Sequence, residues 1–261
     1  MPSVPARDIN MSHVLAHPRG ADVFSTGDSD ADRQPTNGVG GAEATPQSRE
    51  EETSAMKNAG SQTVFLLSPA HCGGRRAQLL FREEAAFPLA VRMRETGAPI
   101  GEVFAFLSGL YFRGKLAYAR AFARRAVPPG VLVIAPGLGL IDPDRVVTLA
   151  DLRAIAAVGV AVDEPRYRAP LESHAALLAA SLAGDDRVVL LGSIATGKYV
   201  DVIERHLDGR LRFPAEFVGR GDMSRGGLML RCVESRQELT YVPIAGAVRH
   251  GPRPPKLEPL R

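Results

Sequence analysis

Three short runs of β-branched and large apolar residues punctuate the chain, and each ends in a turn signal. Thr63–Leu67 stops at Ser68-Pro69, Val131–Ala135 at Pro136-Gly137, and Arg187–Leu191 at Gly192. Unbroken apolar runs of this length, without alternation, predict strands covered on both faces. Between them the apolar spacing lengthens to three and four, which predicts helices. One begins at Arg75 and is interrupted or kinked at Pro88. Two more are predicted over 101–109 and 112–125, the second with Leu116, Ala119, Phe122 and Ala123 on one face. Thr148 with Asp151 three residues on marks a helix start. The stretch 171–183, closed by Gly184, and the stretch 199–207 complete the set. After Gly209 the pattern changes: 211–218 reads as extended, 219–227 as a glycine-rich loop, and 228–233 with 238–243 as a β-hairpin. Strands separated by helices predict an α/β fold: a three-layer αβα sandwich with a mainly parallel sheet and a C-terminal β-hairpin.

The apolar pattern spans only part of the chain's 261 residues. Residues 1–59 are rich in Pro, Gly, Ser and Asp and show no period, so a disordered leader is expected there. Met56 stands just ahead of the first strand and is a candidate true start. Residues 60–248 form the expected single domain, and 249–261 a basic, proline-rich tail. Charge separates the same regions. Residues 1–56 carry 4 basic and 9 acidic side chains, whereas 57–261 carry 28 and 20. A domain of net +8 suits an anionic partner, nucleic acid or nucleotide. Only 4 of the 32 basic residues are Lys, and an Arg and Ala bias of this kind also accompanies GC-rich coding. Cys72 and Cys232 provide neither a disulfide scaffold nor zinc spacing, and no cofactor is expected. No apolar run is long enough to span a membrane, and no signal peptide is visible. The expected location is therefore the cytoplasm, with no membrane partner. No oligomeric state is implied.

Ligands of such sheets sit beyond the carboxyl ends of the strands, so four segments attract attention. Ser68 to Arg76 places Gly73 and Gly74 at a helix start beside Arg75, a setting for phosphate or base binding or for an ordinary turn. Its His71 and Cys72 are a candidate base and nucleophile. Gly192 to Lys198 fits the phosphate-loop spacing, with Ser193, Thr196 and Lys198 as anion ligands, but Tyr199 stands where Ser or Thr should bind magnesium. The stretch 213–227 offers Arg220, Asp222, Ser224 and Arg225 among four glycines. It is either the leading site or a flexible connection. Tyr111, Arg113 and Lys115, with Tyr118, are arranged to stack a base and hold a phosphate, or else belong to the core.

The run Gly109-Leu110-Tyr111-Phe112-Arg113-Gly114-Lys115, followed by Tyr118, a strand and Gly139-Leu140-Ile141-Asp142-Pro143-Asp144, resembles bacterial domains grouped with the YaaA-like proteins. The later part is similar to the uracil-DNA glycosylase superfamily. Its strand 188–191 ends in Gly192 to Ala195, and Phe213-Pro214 precedes the glycine-rich stretch. The resemblance implies a sandwich that binds a nucleobase beside DNA phosphates. The chain departs from it in the first-strand loop, which lacks an acidic residue or Asn, and at Phe213, where the family has His. Fold and ligand class therefore carry over better than uracil excision. Three readings follow. The first is a nucleobase-processing hydrolase, with Asp222 or His71 as general acid or base and Arg220 and Arg225 on phosphate. The second is a non-enzymatic nucleic-acid-binding module. The third is a phosphoryl-transfer enzyme using Lys198.

Overall fold

Five consecutive apolar residues can all be buried only in a strand with a neighbour on each side and a layer on each face. Thr63–Leu67 (β1) meets that condition, each of its residues being buried. The computed structural model describes residues 61–124 and 129–257, so the leader, the Met56 start and the last four residues of the tail lie outside the described residues. β1 is followed by α1 (Arg75–Phe81), α2 (Pro88–Glu95), β2 (Ala98–Pro99), α3 (Ile100–Ser108) and α4 (Leu110–Phe122). Then come β3 (Val131–Ala135), β4 (Gly139–Ile141), β5 (Val146–Val147), α5 (Leu149–Ala156) and α6 (Pro165–Ser181). The chain continues with β6 (Arg187–Leu191), α7 (Val200–Leu207), β7 (Leu211–Pro214), a 3-10 turn (Ala215–Phe217), α8 (Asp222–Ser235) and β8 (Tyr241–Pro243).

The main sheet has six strands in the order β4-β3-β1-β6-β7-β8. Its four inner strands are parallel, with Phe65 level with Val131 on one side and Val189 on the other. β4 and β8 pair antiparallel at the two edges. From β1 the chain moves to β3 on one side, then returns past β1 to β6 and on to β7. With right-handed crossovers, that reversal puts the crossover to β3 on one face and the crossovers to β6 and β7 on the other. The packing agrees: α3, α4 and α8 lie together, as do α6 and α7. The molecule is thus a three-layer sandwich, with Phe65, Leu66, Leu132, Ile134, Val189 and Leu190 fully buried in its middle layer.

Several local expectations change. Of the two expectations at Pro88, interruption is what the structure has: α1 ends at Phe81, and Pro88 opens α2 at its first position, where its missing N–H costs nothing. Gly139 to Ile141 is a strand that turns back on β3. α6 starts at Pro165, ahead of the predicted 171, and holds Pro170 within it. Thr148 forms the predicted cap, a reciprocal capping box with Asp151. The largest correction concerns 219–233. The stretch expected as a loop and the first strand of a hairpin is mostly α8, and the antiparallel C-terminal pair is made by β7 and β8 instead. The buried residues of α8, Gly226, Met229 and Cys232, recur every three positions, as in a helix.

Gly226 misled because a glycine inside a helix usually costs about 1 kcal/mol relative to Ala. Here its bare Cα is the point of contact with α4. A Cβ on Gly226 would lie 2.7 Å from the Leu110 carbonyl oxygen, and one on Gly114 only 2.6 Å from that of Gly226. The two helices therefore approach backbone to backbone, which presses α4 and its Lys115 onto the end of β1. Replacing Gly114 by Ala must push them apart. We expect a loss of about 1–3 kcal/mol in urea unfolding, the range for overpacked cores. Gly159→Ala, where nothing lies within 4 Å of the added carbon, is expected to change stability little.

Candidate functional site

The strand order reverses between β1 and β6, so the loops that leave their carboxyl ends diverge and open a crevice. At its floor the loops touch. The Ser68 N–H donates to the Leu191 carbonyl at 3.2 Å. Gly192 permits the approach, since a Cβ there would sit 2.9 Å from Ser68 Cβ. Lys115 reaches this floor from α4 with 1% of its surface exposed. Its Nζ lies 2.6 Å from the Ser68 carbonyl oxygen and 3.0 Å from Ser68 Oγ. The rings of Tyr111 and Phe112 flank the amine at 4.4 and 4.8 Å. Tyr199, just ahead of α7, comes from the other loop, and the Ser68 side chain offsets part of the rise that burial imposes on its phenol.

Above this floor is a cavity of about 330 Å³. Pro69 to Gly73 form one wall, Pro136 and the stretch 155–160 another, and Lys198 with Tyr199 the third. A wider apolar groove of about 710 Å³ adjoins it, sharing Pro136, Ile155 and Val158. The wall carrying Lys198 is held by Tyr167, whose hydroxyl donates to the Lys198 carbonyl at 2.9 Å. Lys198 Nζ rests 5.1 Å from the centre of the Tyr199 ring.

Burial sets the electrostatics. A charged amine without bulk water is disfavoured, and Lys115 is lowered to about 7. Asp222 opposes that shift and Arg225 adds to it. Burial also raises the phenols of Tyr199 and of Tyr111, the latter to about 12. Tyr111 Oη is buried without a hydrogen-bond partner of good geometry, although the Arg225 guanidinium is close enough to offset part of its shift. Cys72 is pushed up to about 12, so at neutral pH it is a thiol. Its Sγ turns to the Ala70 carbonyl, 3.5 Å away. That leaves no thiolate to serve as a nucleophile beside His71.

The structure thus gathers Ser68, Tyr111, Lys115 and Gly192 from among the predicted residues. Tyr111 and Lys115, with Tyr118, face inward, so they cannot stack a base on the surface; Arg113 points away and is exposed. His71 is exposed at the cavity wall, its ring folded over Gly73 and Gly74, where a Cβ would come within 3.3 Å. Arg75 is exposed at the head of α1, a helix of only seven residues.

The glycine-rich stretch is built differently from its expected form. Arg225 spends Nε and Nη2 on the Phe217 carbonyl. Arg220 donates to the Glu216 carbonyl, to Ser224 Oγ and, at 3.4 Å, to the Pro255 carbonyl. Both arginines are thereby engaged in tying the start of α8 and the tail. Asp222, with 68% of its side chain exposed, lies 3.9 Å from Arg225 and bears on the site only through its charge. In the loop 192–198, Ser193 Oγ accepts the Ala195 N–H and Thr196 is exposed. Gly197 has φ +66° and lies against the Asp201 carboxylate. A phosphate there would meet that negative charge, which weighs against a nucleotide triphosphatase loop.

Tyr199 is the residue that sequence reasoning missed. It attracted notice only as a defect in the phosphate-loop spacing. The available signal was its position, immediately before a helix at the carboxyl end of a central strand.

Among the described residues, no group of three or more His, Cys, Asp or Glu side chains could hold a metal ion, and no helix is long and apolar enough to cross a membrane. Comparisons with family models, curated proteins and solved structures give no match, so the functional argument rests on the geometry.

The depressed Lys115 leads to a prediction about stability. Below pH 7 the amine is charged in both the folded and unfolded chain, and its burial weighs fully against folding. From about 7 to the ordinary lysine value of about 10.4, the unfolded chain holds the proton that the folded chain has released, so stability rises with pH. Lys115→Met has no such dependence. The stability of the natural protein relative to this variant is expected to rise between pH 7.5 and 9.5, by at most about 1.4 kcal/mol per pH unit. A constant difference across that window in urea unfolding would place the amine at its ordinary value.

Proposed function

We propose that the crevice over β1 and β6 binds the base of a nucleotide or of a nucleic-acid strand, with hydrolysis at that base as the reaction class. The cavity carries this reading. At about 330 Å³ it falls near the lower end of the roughly 300–1,000 Å³ typical of small-molecule sites. Its lining includes Tyr199, the Lys198 ammonium for a phosphate, and His71, exposed at the rim. The basic balance of residues 57–261 and the resemblance to glycosylase-type sandwiches support the same ligand class. Because Arg220 and Arg225 are engaged elsewhere, Lys198 and His71 replace them here as the phosphate-facing side chains.

Thermal unfolding of the full chain with nucleoside monophosphates, and separately with single-stranded DNA, at low and moderate salt tests this. At one hundred times its dissociation constant, a ligand of the native state adds about 2.7 kcal/mol, a rise of roughly 5–10 °C for a domain of this size. We expect such a rise, reduced in Lys198→Ala. A salt-sensitive rise with DNA alone would identify a strand as the ligand, and a rise with monophosphates a free nucleotide. No rise with either would overturn the reading.

A further inference from the structure

We propose that the ligand is amphiphilic, with an anionic group beside Lys198 and, on the same molecule, an apolar substituent that runs out of the cavity into the adjoining groove. This rests on the nucleotide reading above, under which the ligand is a nucleotide whose base carries an apolar substituent. The groove, of about 710 Å³, opens off the cavity across Pro136, Ile155 and Val158, which line both. Lys198 and His71 line the cavity alone. A ligand with its phosphate on Lys198 therefore has the groove open to its remainder.

Two helices and a turn make the groove, and their side chains set its chemistry. α5 supplies Ala154 and Ile155, α6 supplies Pro165, Ala169 and Pro170, and the turn after β3 supplies Leu138. Ala154 and Ala169 are exposed, and their short side chains leave the space beside them open. The prolines bring no N–H to it. Two charged residues border the groove, and each is already partnered within the chain. Asp151 Oδ2 accepts from the Thr148 N–H and from the Thr148 hydroxyl, at 2.8 Å each. Arg166 holds Glu164 through Nε at 2.9 Å and through Nη2 at 2.8 Å. A group entering the groove thus loses water without gaining a free charge, which suits hydrocarbon and penalises a phosphate or a sugar.

The cavity has the opposite character. Lys198 has no carboxylate partner among the described residues, its amine resting against the Tyr199 ring, and His71 is exposed beside it. Charge at one end and hydrocarbon at the other, joined through three shared residues, fit one molecule that carries both. A second copy of the chain seated in the groove would cover hydrocarbon but would not account for its passage into the cavity.

Isothermal titration of the full chain measures this. The probes are adenosine and cytidine 5′-monophosphates, unmodified or alkylated on the exocyclic amine with ethyl, butyl or hexyl. We expect the dissociation constant to fall roughly threefold to fourfold for each methylene until the groove is full. The heat-capacity change of binding should grow more negative in step. Ala154→Leu and Ala169→Leu, at exposed helical positions, fill the groove and should erase the gain. Ala180→Leu, exposed on α6 outside the groove, should keep it. Equal affinity for the plain and hexyl nucleotides would overturn the inference and leave the nucleotide reading standing. Hexyl phosphate binding as tightly as the hexyl nucleotides would retain the amphiphilic ligand and overturn the nucleobase reading instead. A gain that survives both leucine variants would overturn the inference. So would a dimer in sedimentation that Ala169→Leu dissolves, which would give the groove to a second copy.

Discussion

The amine of Lys115 is held inside the core by one carbonyl and one hydroxyl, both belonging to Ser68. No carboxylate touches it there among the described residues, so burial is compensated by hydrogen bonds and by two aromatic faces. A lysine in that setting is tolerated only if it gives up part of its affinity for a proton. Much of the surrounding architecture serves to place it. Gly114 and Gly226 let α4 and α8 meet at their backbones, and Gly192 lets the loops after β1 and β6 meet over Ser68.

That arrangement explains why the crevice sits where it does. Reversal of strand order splits the loops after β1 and β6, and the cavity occupies the split. Its floor is closed by Ser68, and its Tyr199 wall is braced through Lys198 by Tyr167. Three residues of shifted acidity, Lys115, Tyr111 and Tyr199, lie around this floor. Outlying polar groups are occupied in other ways. Nδ1 of His174 lies 3.0 Å from the Leu140 nitrogen and 2.9 Å from its carbonyl oxygen, and Asp144 pairs with Arg120.

The three buried parallel strands were legible because five apolar residues in a row have few other solutions. Thr148 was legible because capping is local chemistry. α8 was not, since Gly226 and Gly227 register as breakers unless the partner helix is known. Once Gly114 is seen against Gly226, the glycine becomes the reason for the helix contact. The site divides along the same line. Ser68, Tyr111, Lys115 and Gly192 could be nominated from their loops and spacing. Their convergence could not, because Lys115 lies 47 positions from Ser68 and reaches it only through the fold. Arg220 and Arg225 stood out for charge amid glycine, yet their carbonyl partners, Glu216 and Phe217, carry no signal in sequence.

The central claim is that the ligand lies between the loops after β1 and β6. Hydrogen exchange of the full chain, with and without a saturating nucleoside monophosphate or single-stranded DNA, measures this most directly. The account predicts slowed exchange in the loops 68–74 and 192–199, with the first turns of α8 unchanged. Protection confined to 219–227, or to the exposed face of α4 around Arg113, would contradict it.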